Sequence, residues 1–273
     1  MNAAILSETP HAGMEMRLWE GPAPGVAANP GEEMVEPSGR VSNVSIPTLT
    51  AYLPKAEHAS GTAIIIFSGG AYIHLASGPL GRAAADAFLQ KGIAIFSLRY
   101  RLAPPSTNVL RDALADAKCA VRTVRSRAAE WHVNRDCIGI IGFSAGANLA
   151  LNLACDSDKG DPASTNPVEK QSSRPDFIGL FAPWPFNQRI EDFKIKPAMP
   201  PAFIAHARDD STAPFSFAEE IARAFKQAGV PIRFEPYDQG GHMAFNFRLP
   251  LIKEWPAKLL SWLKNHKLYT ELL

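Results

Sequence analysis

The chain has 273 residues, 28 Lys and Arg against 27 Asp and Glu, and a net charge of +1. That balance excludes nucleic acid as the main partner, because phosphate binding needs a basic excess on some face. The 46% hydrophobic content excludes a wholly disordered chain, and the length is enough to bury a core without disulfides or a structural metal.

Met1 to Gly13 show no basic segment followed by an apolar one, so no secretory signal is expected there, and a cytoplasmic location is the expectation. Residues 1–40 carry five Gly, five Pro and a charge of 2 − 6 = −4, with no sustained period. They read as an extended arm packed on a single domain of residues 41–273, anchored by Leu18 and Trp19. Val41–Leu53 alternates enough for one or two strands broken near Pro47. Ala63–Phe67 is an uninterrupted apolar run that suits a strand buried on both faces. A helix over Gly81–Lys91, a strand over Ile93–Leu98 and a helix over Asp112–Ala129 follow. In that second helix Leu114, Ala117, Val121, Val124 and Ala128 form one apolar stripe.

Next come a strand at Ile138–Ile141, a helix at Ala145–Ala154, and strands at Phe177–Ala182 and Ala202–Ala207. Helix Phe215–Ala228 is closed by Gly229 and Pro231, then strand Ile232–Tyr237 and a final helix over about Leu251–Lys264 complete the pattern. The polar stretch Asp156–Asp176 is a long loop of the kind that can be mobile. The uncharged stretch Cys137–Cys155 contains Gly139, Gly142, Gly146, Asn148 and Asn152, and so reads as strand, turn and helix rather than a membrane span. Strands alternating with helices imply an α/β fold, a mostly parallel sheet with helices on both faces. Cys119, Cys137 and Cys155 are odd in number and widely spaced, as expected of free thiols.

The chemistry centres on Gly142-Phe-Ser144-Ala-Gly146, which follows an apolar strand and opens a helix. The pentapeptide's fixed positions arise by chance in roughly one chain of this length in ten, so its setting carries the weight. Strand, sharp turn and helix make the setting a nucleophile elbow: Ser144 is presented on a strained turn, and the helix N-terminus faces developing negative charge. An acid and a base are expected downstream, at the C-terminal ends of strands. Strand Ala202–Ala207 runs into Asp209-Asp210, with Asp210 favoured over Asp209 by its spacing to Pro214. Strand Ile232–Tyr237 runs into a Gly-rich turn ending at His242. His242 would take and return the Ser144 proton, and Asp210 would hold the imidazole. The N–H of Ala145 is one expected oxyanion donor, and Gly70 and Ala71 in Ser68-Gly-Gly-Ala-Tyr72 are the others, with Gly69 an alternative. His206, inside its strand, reads as a packing or supporting histidine. His74 either touches substrate or has no role, and His11, His58, His132 and His266 read as surface residues.

These residues resemble the α/β-hydrolase superfamily. Ser68-Gly-Gly-Ala-Tyr72 is similar to its His-Gly-Gly-Gly or Pro-Gly-Gly-Gly-Tyr oxyanion segment. Ser68 and Ala71 depart from that pattern, although Ala71 keeps its N–H. Tyr100-Arg-Leu-Ala-Pro104 resembles a segment of the hormone-sensitive-lipase-like and the acetyl-xylan/feruloyl esterase-like groups. Leu18-Trp19, Ala23-Pro24-Gly25 and Val44-Ser-Ile-Pro47 resemble the N-terminal arm of the latter, also called xylanase-like or dienelactone-hydrolase-like. The resemblance implies a serine carboxylesterase acting on short acyl esters, acetyl or feruloyl among them, on a small-molecule or carbohydrate-linked substrate. No His-Glu-x-x-His or comparable ligand spacing and no Gly-x-Gly-x-x-Gly after the first strands occur in the sequence, so no metal or nucleotide cofactor is expected.

The stretch Pro183–Pro201 is short, which leaves a minimal cap and an open pocket lined by Tyr72, Trp184, Phe186 and Phe245, unless these rings are ordinary packing. Two other readings stay open: a peptidase or amidase on the same fold, and a non-catalytic binding protein.

Overall fold

A computed structural model of the protein describes residues 13–25, 31–245 and 251–271. The expectations for the first twelve residues, His11 included, lie outside these. The strands in chain order are β1 (Met14–Arg17), β2 (Met34–Val35), β3 (Val41–Ser42), β4 (Thr48–Tyr52), β5 (Ala63–Phe67), β6 (His74–Leu75), β7 (Ala94–Arg99), β8 (Ile138–Phe143), β9 (Phe177–Phe181), β10 (Ala202–Ala207) and β11 (Ile232–Tyr237). The helices are α1 (Ser77–Phe88), α2 (Val109–Ser126), α3 (Ala145–Asp156), α4 (Phe215–Gln227) and α5 (Trp255–Asn265).

Eight strands form one sheet in the order β1-β4-β7-β5-β8-β9-β10-β11. β1, β4 and β7 pair antiparallel, and the strands from β7 onward pair parallel. All five residues of β5 and of β9 are buried, as strands covered on both faces must be. Two apolar layers result. One holds α2 and α3 against Ile65, Phe67, Ile140 and Leu180. The other packs α1 and α5 against Ile64, Ile66, Phe181 and Phe203.

Three helix starts differ from expectation. α2 begins at Val109 because the Asn108 side chain accepts from the Arg111 N–H at 3.2 Å, capping the helix a turn earlier. α1 begins at Ser77 rather than Gly81. α5 begins only at Trp255, where Pro256 suits the first helical turn.

The N-terminal arm supplies an edge strand, β1, and β2 joins β3 and β6 in a separate three-stranded sheet. Its anchors are as specific as they are apolar. Leu18 is buried, and the Trp19 Nε1–H donates to Asp116 at 2.8 Å. The same carboxylate takes Arg101 through its Nε at 2.9 Å and NH2 at 2.8 Å, and Arg101 also donates to the Pro24 carbonyl. Arg101 and Asp116 are fully buried; their pairing and extra hydrogen bonds offset the loss of hydration.

The polar loop 156–176 is pinned rather than loose. Arg125 donates to the Ser172 carbonyl and the Asp176 carboxylate at 2.6 and 2.8 Å, and Arg122 to the Gln171 carbonyl at 3.1 Å.

Candidate active site

The turn between β8 and α3 holds Ser144 at φ 54°, ψ −118°, a region that non-glycine residues adopt only when the surroundings enforce it. The flanking glycines explain how the turn fits. A Cβ on Gly142 would stand 2.3 Å from the Gly146 carbonyl oxygen, and one on Gly146 would stand 2.1 Å from that of Phe67. Side chains at either place would force β8, α3 and β5 apart.

Three distant side chains meet at this turn. His242 Nε2 lies 2.9 Å from Ser144 Oγ, and His242 Nδ1 lies 2.8 Å from Asp210 Oδ2. A carboxylate only accepts, so Nδ1 carries the proton and Nε2 accepts from the serine hydroxyl. The other Asp210 oxygen accepts from the N–H groups of Thr212 and Ala213 at 2.8 and 2.9 Å. Burial alone would raise the Asp210 pKa, but the bonds from Ala213, His242 and Thr212 outweigh it and hold the carboxyl below its usual range.

Asp209, the competing carboxylate, accepts instead from the backbone N–H groups of Gly240 and Gly241 at 3.1 and 2.8 Å. His206 is fully buried, and its Nε2 lies 3.0 Å from Asp210 Oδ2, the oxygen that also bonds His242. Burial holds the His206 pKa below its ordinary value despite that carboxylate, so the ring is neutral and donates through Nε2. His58, His132 and His266 are exposed.

The loop after β5 turns back over the serine. A Cβ on Gly69 would stand 2.9 Å from the Phe143 carbonyl oxygen and 3.0 Å from Ser144 Cβ, so only glycine lets this segment lie beside the elbow. Gly70, Ala71 and Tyr72 follow at φ 133°, 54° and 60°. Three such residues in a row need outside support. It comes from Tyr100, whose hydroxyl donates to the Ser68 carbonyl at 2.6 Å, and from Tyr72, whose hydroxyl donates to Asn148 Oδ1 at 2.8 Å. Gly69, Gly70, Ala71 and Ser144 all line one cavity of about 510 Å³. Ala145 opens α3, so its N–H is one of those a helix leaves without an internal partner.

Of the four aromatic residues expected on the pocket wall, Phe245 is there; Tyr72, Trp184 and Phe186 are not. The bond to Asn148 draws the Tyr72 ring beneath the loop, where it is fully buried. Phe186 packs on it at 4.7 Å between ring centroids, and Trp184 on Phe186 at 5.3 Å. These rings are packing. The wall is instead made by Leu80, Phe143, Phe181, Ala182, Met243 and Phe245, with Ser38, Arg40 and His74 as its polar part. Sequence reasoning missed Ser38 and Arg40, and no local motif marks them.

Residues 49–180 match the family model BD-FAE. An acetylxylan esterase of Xylanibacter ruminicola is 33% identical over 135 residues, 50% of this chain and 25% of that protein. An endo-1,4-beta-xylanase B of Butyrivibrio fibrisolvens is 27% identical over 222 residues, 72% of this chain and 34% of that protein. The chain thus spans between a quarter and about a third of the length of these curated relatives. The crystal structure of an acetyl ester-xyloside bifunctional hydrolase from Caldicellulosiruptor lactoaceticus superposes with a TM-score of 0.78 at 27% identity. It covers 94% of this chain and 98% of its own. Sheet order, the turn at Ser144 and this superposition show that the chain has the α/β-hydrolase fold, and its residues 49–180 are similar to the BD-FAE family.

Proposed function

We propose that this chain is a serine ester hydrolase that cleaves short acyl esters, acetyl and feruloyl among them, on small-molecule or carbohydrate-linked alcohols. One observation carries the reading: His242 stands between Ser144 Oγ at 2.9 Å and Asp210 Oδ2 at 2.8 Å. In the reaction Ser144 Oγ attacks the ester carbonyl carbon while His242 Nε2 takes its proton. The carbonyl oxygen becomes an oxyanion against the N–H groups of Ala145 and of Gly70 or Ala71. Collapse expels the alcohol, which takes the proton from His242, and leaves an acyl-Ser144. Water then attacks with the same base, and the carboxylic acid departs. Asp210, held ionised, stabilises the imidazolium formed at each step. The similarity to an acetylxylan esterase and to an acetyl ester-xyloside bifunctional hydrolase supports acetyl groups as substrates.

The test is a panel of p-nitrophenyl acetate and butyrate, acetylated xylan and methyl ferulate, run on the protein and on Ser144→Ala, beside labelling with a fluorophosphonate probe. The variant is expected to lose about four to six orders of magnitude in kcat and all labelling. Near-native turnover by Ser144→Ala overturns the reading.

A further inference from the structure

The cavity over Ser144 has two unlike walls. One is apolar, with Phe181, Ala182 and Phe245 buried and Leu80 and Phe143 half-buried. The other is polar and open to solvent, formed by Ser38 and Arg40 of the arm and by His74 of β6. The pairing of Ser42 with His74 between β3 and β6 brings the arm here.

The polar wall lies close to the reacting centre. A Cβ on Gly70 would stand 2.9 Å from His74 Cδ2, so the imidazole rests against the loop proposed to hold the oxyanion. Arg40 NH2 donates to His74 Nδ1 at 2.9 Å, which leaves His74 its proton on Nε2. Burial, then the adjacent Arg40, lowers the His74 pKa, so the ring is neutral. Neither His74 Nε2 nor Arg40 NH1 has a hydrogen-bond partner among the described residues.

The charged partner of Arg40 is Glu36, 3.8 Å from its Nε, and both side chains are about half exposed, at 47% and 52%. Such a pair holds its cation weakly and gives way to a better-placed carboxylate. The described residues lining the cavity include no Asp or Glu, so the charge of Arg40 is opposed only from outside the cavity, by Glu36.

We propose that Arg40 and His74 form a carboxylate-binding subsite for the alcohol portion of the substrate, which makes the preferred substrate an ester whose alcohol bears an acidic group. The acyl group, carried on Ser144, lies against the apolar wall. The charged alcohol stays at the solvent-open rim, from which it leaves. This assignment rests on the ester hydrolysis proposed above.

A matched pair separates the two ideas: 3-acetoxybenzoate, which carries the carboxylate, and its neutral methyl ester. Binding is read by calorimetry on Ser144→Ala, where neither ester turns over, and on Ser144→Ala carrying Arg40→Gln as well. The anion is expected to bind more tightly than the neutral ester, and Arg40→Gln to reduce that ratio about ten-fold. Arg40→Lys, which keeps the charge but not the planar fork, is expected to fall between them. An anion-to-neutral ratio that Arg40→Gln leaves unchanged overturns the subsite. Turnover of the neutral ester with Ser144 intact, and its loss in Ser144→Ala, reports separately on the esterase reading.

Discussion

Asp209 and Asp210 are adjacent carboxylates that hold the same loop from two sides. Asp210 bonds the His242 ring, and Asp209 accepts from the backbone N–H groups of Gly240 and Gly241, immediately before it. Those glycines have φ of 141° and 61° and cannot be replaced cheaply. The two acids therefore have separable effects. Asp210→Asn removes the charge facing the imidazolium and is expected to lower kcat about a thousand-fold or more. Asp209→Ala only loosens the approach of His242, for a loss in kcat/KM of about three- to ten-fold. Equal losses in steady-state assays of the two variants would contradict this division.

The turn at Ser144 stores strain that a glycine in its place can release. At φ 54° and ψ −118°, Ser144 is a conformation that glycine adopts far more readily than alanine. Ser144→Gly and Ser144→Ala both lose the hydroxyl, but the glycine variant is expected to be the more stable by about 1 kcal/mol. Urea unfolding of the two inactive proteins measures the difference, and an alanine variant as stable as the glycine variant would show the turn to be unstrained.

What the sequence disclosed, and what it hid, follows from the range of the forces involved. Ala202–Ala207 and Ile232–Tyr237 form strands over the residues expected, because short apolar or β-branched runs end at clear turn residues. Ser144, Asp210 and His242 could be placed in advance because each follows a strand and the elbow needs its glycines. The polar wall could not. Arg40 reaches the cavity through strands of two residues each, whose pairing across the chain leaves no periodic trace. The aromatic residues failed differently. Tyr72, Trp184 and Phe186 look alike as pocket or as packing, and the decision fell to Asn148, whose amide draws Tyr72 inward. Helix α5 starts later than the apolar pattern suggests, because Leu251 and Ile252 continue that pattern although they precede the helix.

His206 makes stability depend on pH. Its folded-state pKa is held below the ordinary 6.5, chiefly by burial. As pH falls below that value, the unfolded chain takes up a proton that the folded chain refuses, so stability is lost on acidification. Asp210 acts further down the scale: its depressed pKa contributes stability above the usual carboxylate range that is lost only in stronger acid. His206→Gln keeps an N–H able to reach Asp210 and does not titrate. The variant is expected to show a smaller fall in Tm than the parent between about pH 7 and pH 5. His74, also shifted downward, is present in both proteins and cancels from the comparison. Identical Tm profiles would mean that His206 is not the titrating group.

Beneath the loop that follows β5, Asn148 gathers a buried network that ties three segments together. Its Oδ1 accepts from Tyr72 at 2.8 Å, and its Nδ2 donates to the Pro185 carbonyl at 3.1 Å and to Gln188 Oε1 at 2.9 Å. The loop after β5, helix α3 and the short cap segment are thereby fixed to one side chain. Tyr72→Phe keeps the ring and its packing on Phe186 but removes one bond and leaves Asn148 Oδ1 less well satisfied. Its expected cost in stability is about 1 kcal/mol. Because Gly70 and Ala71 precede Tyr72 on a loop of left-handed residues, the same change lets the proposed oxyanion donors drift. That effect falls on the transition state rather than on substrate binding, so kcat is expected to drop about three- to ten-fold with KM nearly constant. A rise in KM at constant kcat would assign the Tyr72 hydroxyl to substrate binding and remove it from the support of the loop.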